Sequence, residues 1–124
     1  MHISEIAFSS YPVLDIERAR SFYEGVLGLK VTMNQDMGED GHWIEYDIGP
    51  GTLGIGRYSG WKPTGDGCVV ALEVADFDDA VKRIQEADTP IKMGPLETPI
   101  CHMVMFSDPD GNTLMLHKRK AGHH

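Results

Sequence analysis

Between residues 70 and 74 of this chain Val70, Leu72 and Val74 alternate with Ala71 and Glu73, the period-two pattern of a strand with one covered face. A second strand-like run spans Ile3 to Val13. Both runs end in Val-x-Asp, and each aspartate reads as a helix N-cap. Behind Asp15, residues Ile16, Ala19, Tyr23 and Val26 form one helical stripe that Gly28 ends; behind Asp76, residues Phe77, Ala80, Val81 and Ile84 repeat it. Three further short strands follow in each half. The first half has them over about Leu29 to Gln35, His42 to Ile48 and Thr52 to Tyr58. The second has them over about Ile91 to Leu96, Ile100 to Ser107 and Thr113 to Lys118, with Gly, Pro and Asp clusters between. The pattern predicts an α+β fold, βαβββ followed by βαβββ.

The two halves also resemble one another residue by residue. Val13-Leu-Asp15-Ile-Glu-Arg-Ala19 and Val74-Ala-Asp76-Phe-Asp-Asp-Ala80 share V-x-D-x-x-x-A at an offset of 61. The same offset carries Thr52-Leu53-Gly54-Ile55 onto Thr113-Leu114-Met115-Leu116 and lays Gly49-Pro50-Gly51 over Asp110-Gly111-Asn112. Two matches in one register argue for an internal duplication. One helix covers only one face of a four-stranded sheet. Two such sheets side by side, helices outside, make a curved eight-stranded trough walled by both halves; the alternative is a core filled by side chains, with no pocket. Alternation puts Leu53, Ile55, Leu114 and Leu116 on the helix side and turns Thr52, Gly54, Gly56, Thr113, Met115 and His117 toward the trough.

With 124 residues, the chain is read as a single domain over 1–120, with modules at about 1–60 and 61–120; residues 121–124, Ala-Gly-His-His, read as a purification-tag remnant. A domain this long buries about two-thirds of its unfolded surface and needs no disulfide or metal to hold it together. No stretch has the length of a membrane span or the layout of a signal peptide, so a soluble cytoplasmic protein is expected. The formal charge of −8 repels phosphate backbones and argues against a nucleic-acid partner, while leaving room for a cationic ligand. Cys68 and Cys101 fit neither a disulfide framework nor a zinc ribbon and are expected to be reduced, buried thiols.

Four stretches carry a family resemblance over essentially the whole chain. They are Val13-x-Asp15 with Ala19, the helix exit Phe22-Tyr-Glu-Gly-Val-Leu-Gly28-Leu29, the second Val74-x-Asp76, and the turn Asp108-Pro-Asp-Gly-Asn112 feeding the last strand. The sequence resembles the vicinal oxygen chelate superfamily, which includes glyoxalase I, bleomycin resistance proteins and extradiol dioxygenases. The resemblance speaks for fold more than for reaction. It implies paired βαβββ modules, often in a homodimer, and in the enzymes a divalent metal held by His or Glu from the first and last strand of each module. Those places fall on Phe8, Gly54, Val69 and Met115. A phenyl ring, a hydrogen, an isopropyl group and a thioether offer a hard or borderline divalent ion no suitable donor, so no metal or other cofactor is expected.

The remaining candidates are few. His117, about 7 Å along the strand from Met115 on the same face, can orient a ligand or move a proton, or merely mark the solvent end of the strand. Glu73 shares a face with Val69 and Ala71; in an apolar trough its carboxyl would have a raised pKa and serve as a general base, although a solvated strand-end glutamate is the ordinary case. His42 and Glu45 differ by an odd number and do not share a face of a regular strand, which leaves a displaced metal site of His117, His102 and Glu45 or Glu73 as a further option. Met103, Met105 and Met115, with Phe106, Trp43 and Trp61, suit a flat apolar ligand as well as they suit a core. Gly54 and Gly56 are expected to clear space on the wall. The leading expectation is a metal-free homodimer similar to the bleomycin-resistance branch, binding an apolar, aromatic or cationic molecule through Phe8, Gly54, Gly56, Val69, Glu73, Met115 and His117. The alternatives are a glyoxalase-like lyase, isomerase or dioxygenase with displaced metal ligands, acid–base catalysis by Glu73 and His117, or a dimeric domain with a vestigial pocket.

Overall fold

A computed structural model describes residues 1–122; His123 and His124, the end of the expected tag remnant, lie outside the described residues. The chain divides between Pro63 and Thr64 into two compact units. The first contains β1 (Ser9–Pro12), α1 (Ile16–Arg20) running into a π-type segment (Ser21–Val26), β2 (Val31–Asp36), β3 (His42–Ile48) and β4 (Gly51–Arg57). The second contains β5 (Val70–Glu73), α2 (Phe77–Glu86), β6 (Ile91–Glu97), β7 (Cys101–Ser107) and β8 (Thr113–Arg119). Each unit folds as one four-stranded mixed sheet, in the order β1-β4-β3-β2 and β5-β8-β7-β6, with its helix on one face. The fold is α+β, a βαβββ module written twice.

The local reasons are those legible in the chain. Asp15 caps α1 by accepting from the Arg18 amide at 3.1 Å, and Asp76 caps α2 by accepting from the Asp79 amide at 3.0 Å. Leu53, Ile55, Leu114 and Leu116 are buried on the helix side, as alternation requires, with Ile44, Tyr46, Val104 and Phe106 beside them. The first strand of each module is shorter than its pattern predicts. Residues 1–9 are exposed and β1 begins only at Ser9, since residues 1–8 have no strand partner among the described residues; β5 likewise starts at Val70 rather than Gly67.

The strand pairing repeats between the modules, with the sequence offset changing by one residue twice. Ser10 pairs with Gly54 and Pro12 with Gly56; 61 residues on, Ala71 pairs with Met115 and Glu73 with His117. Along β2–β3 and β6–β7 the offset is 60: Met33 pairs with Glu45 as Met93 pairs with Met105. The extra residue of the first module sits in its helix. The Leu27 amide bonds to the Phe22 carbonyl five residues back, whereas the matching Ala87 amide bonds to Arg83, four back. Both helices then exit through a left-handed residue, Gly28 at φ 72° and Asp88 at φ 55°. The turn before β8 restores the offset of 61, being one residue longer than its counterpart before β4. Hence the left-handed Gly49 matches no glycine at 110, and the alignment of Gly49-Pro50-Gly51 with Asp110-Gly111-Asn112 does not hold residue for residue.

The π-type segment also carries a half-buried polar cluster. The Glu24 carboxylate accepts from Arg20 Nε at 2.8 Å and from the Tyr46 hydroxyl at 2.9 Å, and the Tyr46 ring stacks on Tyr23 at 6.0 Å. The bond from Arg20 leads in holding Glu24 below the usual carboxylate range, and that from Tyr46 adds to it, against the opposing effect of burial. Burial, then the neighbouring Glu24, pushes the Tyr46 phenol up. At the offset of 60 the second module has Phe106, with no hydroxyl to place.

Candidate functional site

Residues paired across neighbouring strands share a face, so the ladder maps the helix-free face of the second sheet directly. One row runs Leu96, Met103, His117, Glu73; the next runs Met93, Met105, Met115, Ala71. Met103, Met105 and Met115 are half-buried, and Met93 is exposed. The result is a thioether surface with one polar edge, at Glu73 and His117.

That edge is bonded. His117 Nδ1 lies 2.5 Å from Glu73 Oε1, and the second oxygen, Oε2, accepts the Arg119 amide at 2.8 Å. Arg119 Nη1 approaches Oε1 at 3.6 Å. Burial on its own pushes the Glu73 carboxyl up, but the Arg119 amide, the His117 bond and the charge of Arg119 outweigh it and hold the group below the usual carboxylate range. The expected raised pKa is therefore reversed: Glu73 is a stabilised carboxylate, ill suited to be a free general base. An ionised carboxylate only accepts, so the hydrogen between the two belongs to His117 Nδ1. Nε2 has no hydrogen-bond partner among the described residues; in a neutral ring with its hydrogen on Nδ1, it is the nitrogen that accepts.

The corresponding face of the first sheet is built differently. A Cβ at Gly54 would lie 2.5 Å from the Trp43 indole, and one at Gly56 would lie 2.8 Å from both Trp61 and Tyr58. These glycines do not leave an open patch of wall; they allow Trp43 to lie flat on β4. Phe8 meets Trp43 edge-on at 5.3 Å, and the indole N–H donates to Glu45 Oε2 at 2.8 Å. Glu45 thus orients Trp43. His42 bonds Asn34 at 2.6 Å from the opposite face.

The other expected residues fall as follows. Val69 is exposed, just before β5. Thr113 is buried and its hydroxyl donates to the Gly65 carbonyl at 3.0 Å, so it does not face open space; Thr52 bonds Asp47. Cys101 is buried beside Thr98 but Cys68 is exposed, against expectation, since the segment before β5 has no cover. His102 pairs with Lys118 on the helix side and its ring lies 5.6 Å from Phe77, facing away from His117. There, Asp76, Asp78, His102 and Lys118 rim an open cleft of about 310 Å³ that the sequence did not suggest. No three His, Cys, Asp or Glu side chains converge among the described residues, and the displaced ligand set of His117 with His102 is ruled out by their opposite faces. Of the four places that the resemblance implies for the family's metal, Phe8 and Val69 lie just before β1 and β5, Gly54 and Met115 lie in β4 and β8, and the indole of Trp43 fills the space beside Gly54. These residues do not fit a divalent ion.

Comparison with known proteins now fixes the class. A family model described as the Glyoxalase/Bleomycin resistance protein/Dioxygenase superfamily matches residues 2–116. The chain belongs to that superfamily. TnmS3, an antibiotic binding protein from Streptomyces sp. CB03234, is 31% identical, with 97% of this chain and 99% of that one covered and a TM-score of 0.79. A glyoxalase/bleomycin resistance protein from the same Streptomyces is also 31% identical, covering 90% and 98%, with a TM-score of 0.73. The trypanothione-dependent glyoxalase I of Leishmania major is similar at 25% identity, covering 94% and 87%, with a TM-score of 0.77. A search of curated protein sequences returned no significant match.

Proposed function

We propose that this protein binds and sequesters a small apolar or aromatic molecule, without a divalent metal, in the manner of the bleomycin-resistance branch of its superfamily. The observation that carries the reading is the helix-free face of the second sheet, where half-buried Met103, Met105 and Met115 occupy the wall on which an enzyme of this family would carry a metal ligand. Thioethers adapt to irregular apolar shapes and contact aromatic rings favourably. The Trp43 indole, held by Glu45 and backed by Gly54, offers a flat stacking surface in the first module. Similarity to an antibiotic binding protein at 31% identity supports the same class of ligand. The net charge of −8 favours a cationic member of that class.

The active species is a homodimer in the cytoplasm. Ile3, Ile6 and Phe8 are 78%, 85% and 49% exposed, an apolar run that a second copy would cover. The free thiols Cys68 and Cys101 accord with a reducing compartment.

The test combines metal analysis of tag-free protein with thermal unfolding in the presence of bleomycin and polycyclic aromatic compounds. The expected result is substoichiometric metal and a rise in Tm of about 10 °C for a compound at a hundred times its Kd. A stoichiometric divalent ion that disappears in His117→Ala would overturn the reading in favour of a metal-dependent lyase, isomerase or dioxygenase.

A further inference from the structure

We infer that the Glu73–His117 pair makes the thioether wall selective for aromatic ligands bearing a weakly acidic hydroxyl, a phenol or enol, which donates its hydrogen bond to His117 Nε2. The inference rests on the binding reading above and adds the chemistry of the ligand's polar end.

Three observations lead to it. The first is position. Met103 stands opposite His117 and Met105 opposite Met115, so three thioethers and one imidazole mark the corners of a rectangle about 5 Å by 7 Å, the footprint of a two-ring aromatic system. The second is the tautomer. Glu73 takes the Nδ1 hydrogen at 2.5 Å while its other oxygen is occupied by the Arg119 amide, so the carboxylate cannot turn away to solvent without losing both bonds. The third is that Nε2, the accepting nitrogen whenever the ring is neutral with its hydrogen on Nδ1, has no partner among the described residues and lies beside a row of half-buried methionines. An acceptor held in one tautomer at an apolar rim discriminates strongly between a hydroxyl and its methyl ether, because the ether leaves it unpaired.

The matching pair of positions in the first module shows that the dyad is an addition and not part of the frame. Pro12 and Gly56 hold the same register there and carry no polar side chain. The strand pairing therefore does not need Glu73 or His117, and a role in recognition accounts for a bonded His–carboxylate pair on this face alone. Glu73 is a positioning residue, acting through the imidazole.

The experiment compares 2-naphthol with 2-methoxynaphthalene by calorimetric titration of the full chain at pH 8. Wild type is expected to bind the naphthol about tenfold more tightly. His117→Phe keeps a flat ring and removes the acceptor; it should abolish the preference while leaving the affinity for the ether within about twofold. Glu73→Gln, which no longer fixes the tautomer, should reduce the preference in the same direction without changing the ether's affinity. Equal binding of both probes by wild type overturns this inference and leaves the wall as a plain apolar site. Binding of neither probe overturns it together with the underlying reading for bicyclic ligands. A His117→Phe variant whose only change is in its sedimentation as a dimer also overturns it, since a second copy of the chain would then occupy the face.

Discussion

The two modules share a backbone and differ in what lies on it. In the first, β4 is stripped to glycine at 54 and 56 and an indole is laid across the gap. In the second, the same positions of β8 carry Met115 and His117, and the wall consists of flexible thioethers with a polar dyad at one edge. Aromatic stacking on glycine gives a flat, stiff surface; methionine gives a yielding one. One half of the chain thus presents a stiff aromatic surface and the other a yielding apolar one with a single directional group at its edge. The ladder is kept between the modules, while the uncovered face differs at Gly54/Met115 and Gly56/His117 and the core differs at Tyr46 and Phe106.

The largest effect should come from filling the first wall. Gly54→Val forces the Trp43 indole off β4 and is expected to cost about 3 kcal/mol in urea unfolding, with a red shift in tryptophan emission. Its counterpart Met115→Val removes side-chain volume from a half-buried site and should cost about 1 kcal/mol. Equal effects at the two positions would show that the walls are not built differently.

Next come the core partners Tyr46 and Phe106. Tyr46→Phe deletes the hydroxyl that Glu24 accepts and should cost about 1–2 kcal/mol, because Arg20 still satisfies the carboxylate. Phe106→Tyr buries a hydroxyl where no Glu24 stands and should cost at least as much. A neutral Phe106→Tyr would mean that the second module has room or water for the group.

A smaller contrast lies in acid. Glu24 and Glu73 are both held below the usual carboxylate range, the first chiefly by Arg20, the second by the Arg119 amide and His117 against burial. For a depressed carboxyl, the stabilisation is fully present above its unfolded pKa, near the ordinary glutamate value of about 4.3, and is lost as pH falls through the folded one. Glu24→Gln and Glu73→Gln should each flatten the loss of Tm on going from pH 5 downward. A variant with an unchanged acid profile would show that its carboxylate pair does not persist in solution. The smallest effect is expected from Met103→Leu and Met115→Leu, near-isosteric changes worth under about 1 kcal/mol in stability. Their loss of flexibility should instead narrow the range of apolar compounds that raise Tm.

Most of the frame was legible in the chain. Alternation, two Asp N-caps and turn residues are local signals, and they placed the helix starts and the β3 and β7–β8 strands to within a residue. The 61-residue match also identified Gly54 and Met115 as counterparts, which the pairing of Ser10 with Gly54 and Ala71 with Met115 reproduces. The change of offset from 61 to 60 leaves no mark on the pattern, because a π-type insertion keeps the helical stripe intact and only lengthens one hydrogen-bonded turn.

What the chain alone determined, then, is which elements form and which face each residue occupies, since both follow from neighbours a few positions away. Tertiary structure decided what those residues do. Glu73 and His117 stand 44 residues apart and meet only because β5 lies parallel to β8, so a carboxylate expected to be raised is instead held ionised by an amide and an imidazole. Gly54 and Gly56 offered space in the sequence; in the fold Trp43 on β3 fills it at Gly54, and Trp61 with Tyr58 fills it at Gly56. Periodicity assigns a face, but the contacts on that face are made by strands distant in sequence, and those contacts set the charge and the shape that a ligand would meet.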